Sequence, residues 1–356
     1  MRSLIDIIDL SVEEIDELVG VACDIIANPV KYREACKYKT LATLFFEPST
    51  RTRLSFEAAM LELGGNVLGF SEASSSSASK GESVADTAKI VSGYSNIIAM
   101  RHPREGAPLV ASLNASVPVI NAGDGAHAHP TQTLTDLLTL YREMGRFNDL
   151  TVAFCGDLKY GRTVHSFIAA LSRYKNVRIL LVSPKELAIP DYIKQEYLSG
   201  MEYEEYSDLE AALPKADVLY MTRIQRERFA DPEEYERLKN CYCLDTEKMK
   251  LAKEKMCVMH PLPRVNEISV AVDDDPRAAY FRQAYNGKYI RMALILKLLG
   301  EADGVRRSLS ADGLTLATTP CQNPKCILHT EQELKPYLTR DEHGSFRCLW
   351  CESVQK

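Results

Sequence analysis

The stretch on which the interpretation of this chain depends runs Phe45-Phe46-Glu47-Pro48-Ser49-Thr50-Arg51-Thr52-Arg53. It follows an apolar segment, Leu41–Phe46, that predicts a strand, and it precedes a segment from Leu54 to Leu61 that predicts a helix. At such a turn, backbone N–H groups, hydroxyls, guanidinium groups and the positive end of the helix dipole converge on one place. The stretch therefore predicts an anion site, with a solvated polar turn as the alternative.

Length and composition are those of a soluble globular protein with two ordinary domains and a small appendage. The chain has 356 residues, 46% hydrophobic and 26% charged, and a formal net charge of −6. This acidic balance argues against a nucleic-acid partner. No apolar run approaches the roughly 20 residues that span a bilayer, and Asp6 interrupts the apolar core that a signal peptide would need. We expect a cytoplasmic protein that binds neither nucleic acid nor membrane.

Short apolar runs alternate with helical patterns along most of the chain, which predicts parallel sheets buried on both faces. The expected fold class is α/β, with two doubly wound parallel-sheet domains plus a small C-terminal β module. We expect these domains at residues 1–133 (completed by a C-terminal helix at 285–305), 134–284 and 306–356. The spacing of Ser11 and Glu14 predicts a capping box at the start of a first helix. The predicted strands are Leu41–Phe46, Asn66–Phe70, Asn96–Met100, Val117–Ile120, Thr151–Cys155, Arg178–Val182, Asp217–Met221, Cys241–Leu244 and Cys257–His260.

Five further polar clusters lie at predicted strand ends, where ligands bind in open α/β sheets. None of them contains a Ser-His-Asp arrangement, a nucleophilic cysteine or a pair of carboxylates. Such an inventory, almost wholly cationic and hydrogen-bonding, suits a reaction between anions in which the enzyme positions its substrates and stabilises an oxyanion. The clusters are Ser74–Ser83, His127–Thr133, Phe154–Thr163, Met221–Gln225 and His260–Arg264.

Two of these clusters also allow plainer interpretations. The serine run Ser74–Ser79 is typical of a flexible loop, and Lys80 at its end is what suggests a lid over an anion. His127 and His129 invite a metal interpretation, but no Asp, Glu or Cys of suitable spacing accompanies them. A lone histidine is more often structural, although His129 could donate to a polarised carbonyl oxygen.

Five segments, in the same order, resemble the aspartate/ornithine carbamoyltransferase family over about residues 1–305. Within the family, Arg223 with Gln225 and the His-Pro-Leu-Pro turn resemble the aspartate enzymes, since ornithine enzymes carry cysteine at the position of Pro261. The resemblance implies transfer of the carbamoyl group of carbamoyl phosphate to the α-amine of L-aspartate. The products would be N-carbamoyl-L-aspartate and phosphate, in an early step of de novo pyrimidine synthesis without an organic cofactor. The five segments are Ser49–Arg53, Lys80–Glu82, His129–Gln132, Gly156–Arg162 and His260–Arg264.

The resemblance also implies a role for each matching residue. The carbonyl oxygen of carbamoyl phosphate would be held by Thr52, Arg101 and His129, which with Arg51 form the catalytic group. Its amino group would be held by Gln132, Pro261 and Leu262. Its phosphate would bind Ser49, Thr50, Arg51, Thr52 and Arg101. The residues expected to bind aspartate are Lys80, Arg162, Arg223 and Gln225.

The family is also expected to share its active sites between the subunits of a homotrimer. Lys80 and a nearby serine would enter from the adjacent subunit. The loop spacing leaves this serine open between Ser76 and Ser77, of which we favour Ser77. The family further implies a cis peptide bond at Leu262-Pro263.

Four of the ten cysteines lie in the last 36 residues, as a C-x4-C pair and a C-x2-C pair about twenty residues apart. In a reducing compartment this spacing predicts a structural zinc site with ligands Cys321, Cys326, Cys348 and Cys351. So short a segment has too little core to fold unaided, so the metal would supply stability. Two disulfides are the alternative. The third expected unit is thus a zinc-binding β module.

The segment Cys321–Glu352 resembles the zinc domain of the family's regulatory chains, where it is carried on a separate polypeptide. Here it is fused, and the nucleotide-binding domain that normally precedes it is absent. We expect the module to stabilise the assembly, in cis or across subunits, without sensing nucleotides, and it could also pair trimers. Two other functions stay open: a carbamoyltransferase for another amino acid, and a catalytically silent zinc-containing scaffold.

Overall fold

In the computed structural model, the chain forms two compact units. The first takes in Met1–Leu10, Gly20–Thr131 and Lys288–Lys356, and the second takes in Ser11–Val19 and Gln132–Gly287. The structure describes residues 2–224, 232–238, 241–301, 313–341 and 344–355. Three helices contain residues of both units: α1 (Val12–Ala27), α5 (Pro130–Met144) and α11 (Tyr280–Gly300).

The first unit is built on a four-stranded parallel sheet in the order β2-β1-β3-β4. Its two central strands are mostly apolar and almost wholly buried, as expected for a sheet covered on both faces. Leu4 extends the sheet by a parallel bridge to Ile120. The strands are β1 (Thr40–Phe45), β2 (Asn66–Phe70), β3 (Ile97–His102) and β4 (Val119–Asp124), and the connecting helices are α2 (Thr50–Glu62), α3 (Val84–Ser92) and α4 (Ala107–Asn114).

The second unit holds a five-stranded parallel sheet in the order β7-β6-β5-β8-β9. Its centre, β5 with β6 and β8, is apolar and buried. The strands are β5 (Thr151–Cys155), β6 (Arg178–Val182), β7 (Glu202–Tyr206), β8 (Val218–Met221) and β9 (Cys257–Met259). The helices are α6 (Arg162–Leu171), α7 (Asp191–Ile193), α8 (Leu209–Ala212), α9 (Pro232–Leu238) and α10 (Thr246–Met249).

A small antiparallel sheet lies near the C-terminus, within the first unit. It consists of β10 (Thr315–Leu316), β11 (Tyr337–Arg340) and β12 (Phe346–Cys348). We call residues 313–355 the C-terminal module. The expectation of two parallel-sheet α/β units with a small third β element is confirmed.

Eight of the predicted strands form, and one prediction is wrong. Cys241–Leu244 is not a strand, because Leu244 makes a single bridge to Ile268. The alternating pattern there reflects the packing of Tyr242 and Leu244 into the core of the second unit. The sequence also failed to predict β7, an exposed edge strand whose glutamates pair with Arg178.

The capping box at the start of α1 is confirmed. Ser11 N donates to Glu14 Oε2 at 2.8 Å, and Glu14 N donates to Ser11 Oγ at 3.2 Å. Within the described residues, no helix has both the length and the apolarity needed to cross a membrane.

Candidate active site and metal centre

The opening stretch forms the start of α2, just beyond the carboxyl end of β1. Ser49 is the N-cap residue, but its side chain makes no capping hydrogen bond. In the first turn Arg51 is exposed and Thr52 is buried. The N–H groups of this turn and the helix dipole favour an anion. Thr50 and the Ser49 hydroxyl lie at the same helix end.

Arg101 and His129 meet at the same edge of the first sheet. Both lie against Gly123, whose φ is +120°: a Cβ there would lie 2.9 Å from Arg101 Nη1 and 3.4 Å from His129 Cδ2. The backbone conformation favours glycine, and the absence of a side chain leaves room for Arg101 and His129. Phe45 pairs with Arg101 in the β1–β3 register, so the start of α2 and Arg101 follow neighbouring strands.

The guanidinium group of Arg101 is only partly satisfied by the described residues. Nη2 forms an ion pair with Glu47 Oε1 at 2.7 Å, and Nη1 donates to Ala122 O at 3.5 Å. Nε is buried and has no hydrogen-bond partner among the described residues. A buried donor without a partner suits an oxygen of a bound ligand.

Lys80 and Ser77 lie apart from these side chains in the sequence, in a 3-10 turn (Ser77–Lys80) that ends at Gly81 in the left-handed conformation. Both residues are exposed on the first unit. Ser76 instead caps this turn: its hydroxyl accepts from Ala78 N at 3.3 Å and donates to the Ala73 carbonyl at 2.9 Å. Ser77 is therefore the better placed of the two to reach outward.

In the second unit, Arg162 and Arg223 follow neighbouring strands, β5 and β8. The loops that carry them are joined, because Asp157 N donates to Thr222 Oγ1 at 3.0 Å. His165, in the first turns of α6, donates from Nε2 to the Leu158 carbonyl at 2.7 Å, which fixes the loop before Arg162. Burial lowers the pKa of His165. The predicted Gln225 lies outside the described residues.

Gln132 belongs to a buried polar network of the second unit. Its Nε2 donates to Asp136 Oδ1 at 2.8 Å, and the same oxygen accepts from Gln283 Nε2 at 2.7 Å. Tyr220 Oη donates to Asp136 Oδ2 at 2.9 Å. Because the amide nitrogen of Gln132 is held by a carboxylate, its carbonyl oxygen is left to accept from a ligand N–H.

The turn after β9 carries Pro261 and Leu262 and is fixed by His260. His260 Nδ1 accepts from Leu262 N at 2.8 Å, and Nε2 lies 2.7 Å from Glu267 Oε1. Because Nδ1 accepts, Nε2 carries the proton and donates to the carboxylate. Burial lowers the pKa of His260, although Glu267 acts in the opposite direction. The expected cis bond at Leu262-Pro263 is present.

The four C-terminal cysteines come together in one buried cluster. Their Sγ atoms all lie within 4.8 Å of one another, with Cys321 to Cys351 at 3.6 Å and Cys326 to Cys348 at 3.8 Å. All ten cysteines are free thiols, so the disulfide alternative is wrong. Four converging sulfurs could bind a metal ion.

The C-terminal module packs on the first unit's own sheet and helices. Its cysteines, Ile327 and Trp350 share a hydrophobic core with residues of α3, β3 and α4. Glu105 pairs with the module through two backbone bonds, from its N to Lys325 O and from Ile327 N to its O, both 3.0 Å. A Cβ on Gly106 (φ +91°) would lie 2.3 Å from Trp350 O, so glycine permits this contact.

Sequence reasoning missed the surroundings of His127. Its Nδ1 lies 3.0 Å from Asp124 Oδ2 and its Nε2 3.2 Å from Glu352 Oε2. Asp6 lies close by, and one atom each of Asp6, His127 and Glu352 lie within 4.8 Å of one another. Although burial opposes it, the two carboxylates raise the pKa of His127 well above its usual value. Burial and Glu352 raise the pKa of Asp6 to about 6.

Asp6 and Glu352 are distant from His127 in the sequence, so no spacing could reveal them, whereas Asp124 lies only three residues before His127. The expectation that no Asp or Glu of suitable spacing accompanies the histidines is wrong, because Asp124 lies three residues before His127 and contacts its Nδ1. Through its two ion pairs, His127 joins the C-terminal module to the body of the first unit.

Two family models match the chain in succession. Residues 2–142 match "Aspartate/ornithine carbamoyltransferase, carbamoyl-P binding domain", and residues 148–298 match "Aspartate/ornithine carbamoyltransferase, Asp/Orn binding domain". The C-terminal module lies outside both models.

Curated relatives match nearly their whole length. The aspartate carbamoyltransferase catalytic subunit of Clostridium novyi is 63% identical over 301 residues, which cover 84% of this chain and 98% of that protein. The subunit of the same name from Clostridium perfringens is 61% identical over 303 residues, which cover 85% of this chain and 99% of that protein.

Solved structures show the same likeness. The catalytic subunit of M. jannaschii aspartate transcarbamoylase superposes with a TM-score of 0.80 at 48% identity, covering 86% of this chain and 100% of that one. Aspartate transcarbamoylase from Trypanosoma cruzi, solved with carbamoyl phosphate and aspartate, superposes with a TM-score of 0.79 at 39% identity. The match covers 83% of this chain and 96% of that one. The chain belongs to the aspartate/ornithine carbamoyltransferase family.

Proposed function

We propose that this carbamoyltransferase transfers the carbamoyl group of carbamoyl phosphate to the α-amine of L-aspartate. The observation that carries the proposal is the meeting of Arg101 and His129 against Gly123, at the sheet edge where α2 begins. Cationic and hydrogen-bonding groups without a nucleophile suit the transfer of a group from an already activated donor. The relatives, at 59–63% identity, are named for aspartate.

The reaction needs no covalent intermediate on the protein. The neutral α-amine of aspartate attacks the carbamoyl carbon, the C–O bond to phosphate breaks, and the phosphate leaves with the amine proton. Arg101, His129 and Thr52 stabilise the negative charge that develops on the carbonyl oxygen. Ser49, Thr50 and Arg51 bind the phosphate with the N-terminus of α2.

Specificity rests on the remaining predicted residues. The Gln132 carbonyl, oriented by Asp136, would accept from the carbamoyl amino group together with the carbonyls of Pro261 and Leu262. Arg162 and Arg223, with Gln225, would bind the two carboxylates of aspartate, since a guanidinium fork matches a carboxylate. We keep the predicted domain bounds, 1–133 and 134–284, as the extents of the two substrate-binding domains.

The assay that tests this function compares acceptors. Purified protein is given carbamoyl phosphate with either L-aspartate or L-ornithine, and both carbamoylated products are measured. We expect product from aspartate and none from ornithine. Tight binding of a bisubstrate phosphonate-dicarboxylate would also speak against a silent scaffold. Product from ornithine alone would overturn the assignment of the acceptor.

We also propose a homotrimer in which Lys80 and Ser77 complete the site of the adjacent subunit. They lie on an accessible turn that ends at Gly81 in the left-handed conformation. No carboxylate among the described residues forms an ion pair with Lys80, so its ammonium group is available to an anion. The mass of the native assembly would test the trimer, and a monomer would contradict it.

The metal of the cysteine cluster is proposed to be structural zinc. Tetrahedral zinc with Zn–S bonds of about 2.3 Å separates its sulfurs by about 3.8 Å, and two pairs here are 3.6 and 3.8 Å apart. Four thiolates leave no open position for a substrate, which excludes a catalytic role. Metal analysis should find one zinc per chain; a value near zero in freshly purified protein would contradict the proposal.

We propose further that the C-terminal module, which resembles the zinc domain of the family's regulatory chains, stabilises the catalytic body without sensing nucleotides. Its packing on the first unit within the same chain supports a role in cis. A shift of aspartate saturation by ATP or CTP, with no other chain present, would contradict this proposal.

A further inference from the structure

We propose that Glu105 and His127 are positioning residues, which connect the metal-binding turns of the C-terminal module to the loop that presents His129. The proposal rests on the proposed function, because it concerns the same carbamoyl-phosphate site. It goes beyond general stabilisation, since it assigns the coupling to two side chains and one loop.

Glu105 makes the first connection. Its Oε2 accepts from Asn323 Nδ2 at 2.6 Å, and Asn323 lies between the ligands Cys321 and Cys326. Its other oxygen, Oε1, accepts from Ala126 N at 3.2 Å. One buried carboxylate thus joins a metal-binding turn to the loop three residues before His129.

His127 makes the second connection, from the other metal-binding turn. Glu352, directly after the ligand Cys351, pairs with Nε2, and Asp124 pairs with Nδ1. Asp124 in turn accepts from Ala128 N at 3.0 Å and from Gly106 N at 2.9 Å. This fully buried carboxylate fixes the backbone immediately before His129.

The loop held at both points belongs to the site. It runs from Gly123, where Arg101 and His129 meet, to His129 itself. Every contact of the two connections lies within the first unit of a single chain. A change in the metal-binding turns therefore has a short route of hydrogen bonds and ion pairs to the two side chains proposed to hold the carbonyl oxygen.

A reciprocal pair of variants tests the first connection. In Glu105→Gln, the amide can still accept from Ala126 N, but its NH2 group then faces the NH2 group of Asn323. Asn323 cannot rotate without losing Lys325 N, which donates to its Oδ1 at 3.0 Å. In Asn323→Asp, two carboxylates face each other. The double variant restores a donor opposite an acceptor.

We expect each single variant to raise the KM for carbamoyl phosphate by about tenfold, with a smaller change in kcat, because one charge-assisted hydrogen bond is lost. The amides of residues 124–129 should exchange faster with deuterium. The double variant should return both quantities towards the wild-type values, with zinc content unchanged in all three proteins.

Arg104→Met serves as the matched control. Arg104 Nη1 donates to Pro324 O at 2.7 Å, so the variant removes an exposed contact with the same module turn. It should leave the KM and the exchange of residues 124–129 unaltered.

Equal effects in the control and the single variants, or no rescue by the double variant, would overturn the proposal. So would unchanged KM and exchange in zinc-loaded Glu105→Gln. Absence of carbamoyl transfer in the wild type would instead refute the proposed function, and the exchange experiment would still decide the coupling.

Discussion

Arg51 and Arg53 lie two positions apart in the opening stretch and have different surroundings. Arg53 Nε donates to Glu57 Oε1 at 2.7 Å, and the same oxygen accepts from Thr43 Oγ1 at 3.1 Å, so Arg53 holds the carboxylate that joins α2 to β1. Arg51 is exposed in the first turn of the helix. We therefore assign the proposed binding role to Arg51 and a structural role to Arg53.

We predict that Arg51→Ala lowers kcat/KM by about a hundredfold or more, because one charged phosphate donor is lost. The circular dichroism spectrum should be unchanged. Arg53→Gln is the control and should affect stability more than turnover. Near-normal activity of Arg51→Ala would contradict the assignment of the anion site.

His102 predicts a dependence of stability on pH. Burial lowers the pKa of His102 to about 4, and its Nδ1 accepts from Arg104 N at 2.9 Å. Since the unfolded histidine has a pKa of about 6.5, the unfolded state binds more protons between these two values. The stabilisation is complete above about pH 6.5 and is lost as the pH falls towards 4.

We expect this group to remove about 2–3 kcal/mol of unfolding free energy between about pH 7 and about pH 4.5. Urea unfolding at several pH values would measure it. His102→Asn keeps an acceptor for Arg104 N but does not titrate, so its stability should fall less steeply with acidification. Identical pH slopes for the two proteins would refute the prediction.

At the scale of elements, Asp136 joins α5 to β8 and α11 within the second unit. Its carboxylate accepts from Gln132, Gln283 and Tyr220, and it is fully buried. Glu143, on the same helix, also reaches α11, through an exposed ion pair with Arg282 at 2.8 Å. Asp136 and Glu143 thus both connect α5 to α11, the first through a buried network and the second through an exposed ion pair.

We predict that Asp136→Asn lowers the unfolding free energy by about 3 kcal/mol, because its NH2 group would face buried donors. Glu143→Gln should cost less than about 1 kcal/mol, as usual for an exposed pair. Denaturant midpoints of the two variants provide the comparison. Equal losses would show that the Asp136 network is not the main connection.

Apolar runs predicted the buried strands well, because a strand covered on both faces must be apolar along its length. The same rule could not find β7, whose Glu-Tyr-Glu-Glu-Tyr sequence lies at the exposed edge of the sheet. The rule also wrongly predicted a strand at Cys241–Leu244. Two buried side chains at alternate positions, Tyr242 and Leu244, give the pattern of a strand although this segment does not pair as one.

At the scale of the whole molecule, the family resemblance predicted the activity class and the acceptor, and the relatives confirm both. The order of the motifs carried this information. What no pattern in the sequence could supply was the contact between the C-terminal module and Glu105 or His127. These partners are separated by more than 200 positions, and nothing local marks them.

The proposed trimer predicts complementation between two inactive variants. A Lys80→Ala chain keeps Arg51, and an Arg51→Ala chain keeps Lys80. In randomly mixed trimers, about one quarter of the sites would receive both residues from neighbouring chains in a cyclic arrangement. Mixed and reassembled protein should therefore recover about a quarter of wild-type activity. Activity no higher than the sum of the separate variants would rule out shared sites.

The C-terminal module reaches its docking face on the same polypeptide that forms this face. Covalent linkage replaces a bimolecular association with an intramolecular one, so the two parts meet at an effective concentration that does not depend on the protein concentration. Dilution should therefore leave the module in place at protein concentrations where a separate small chain would dissociate. The ratio of module to catalytic body is also fixed at one to one by translation, whatever the expression level.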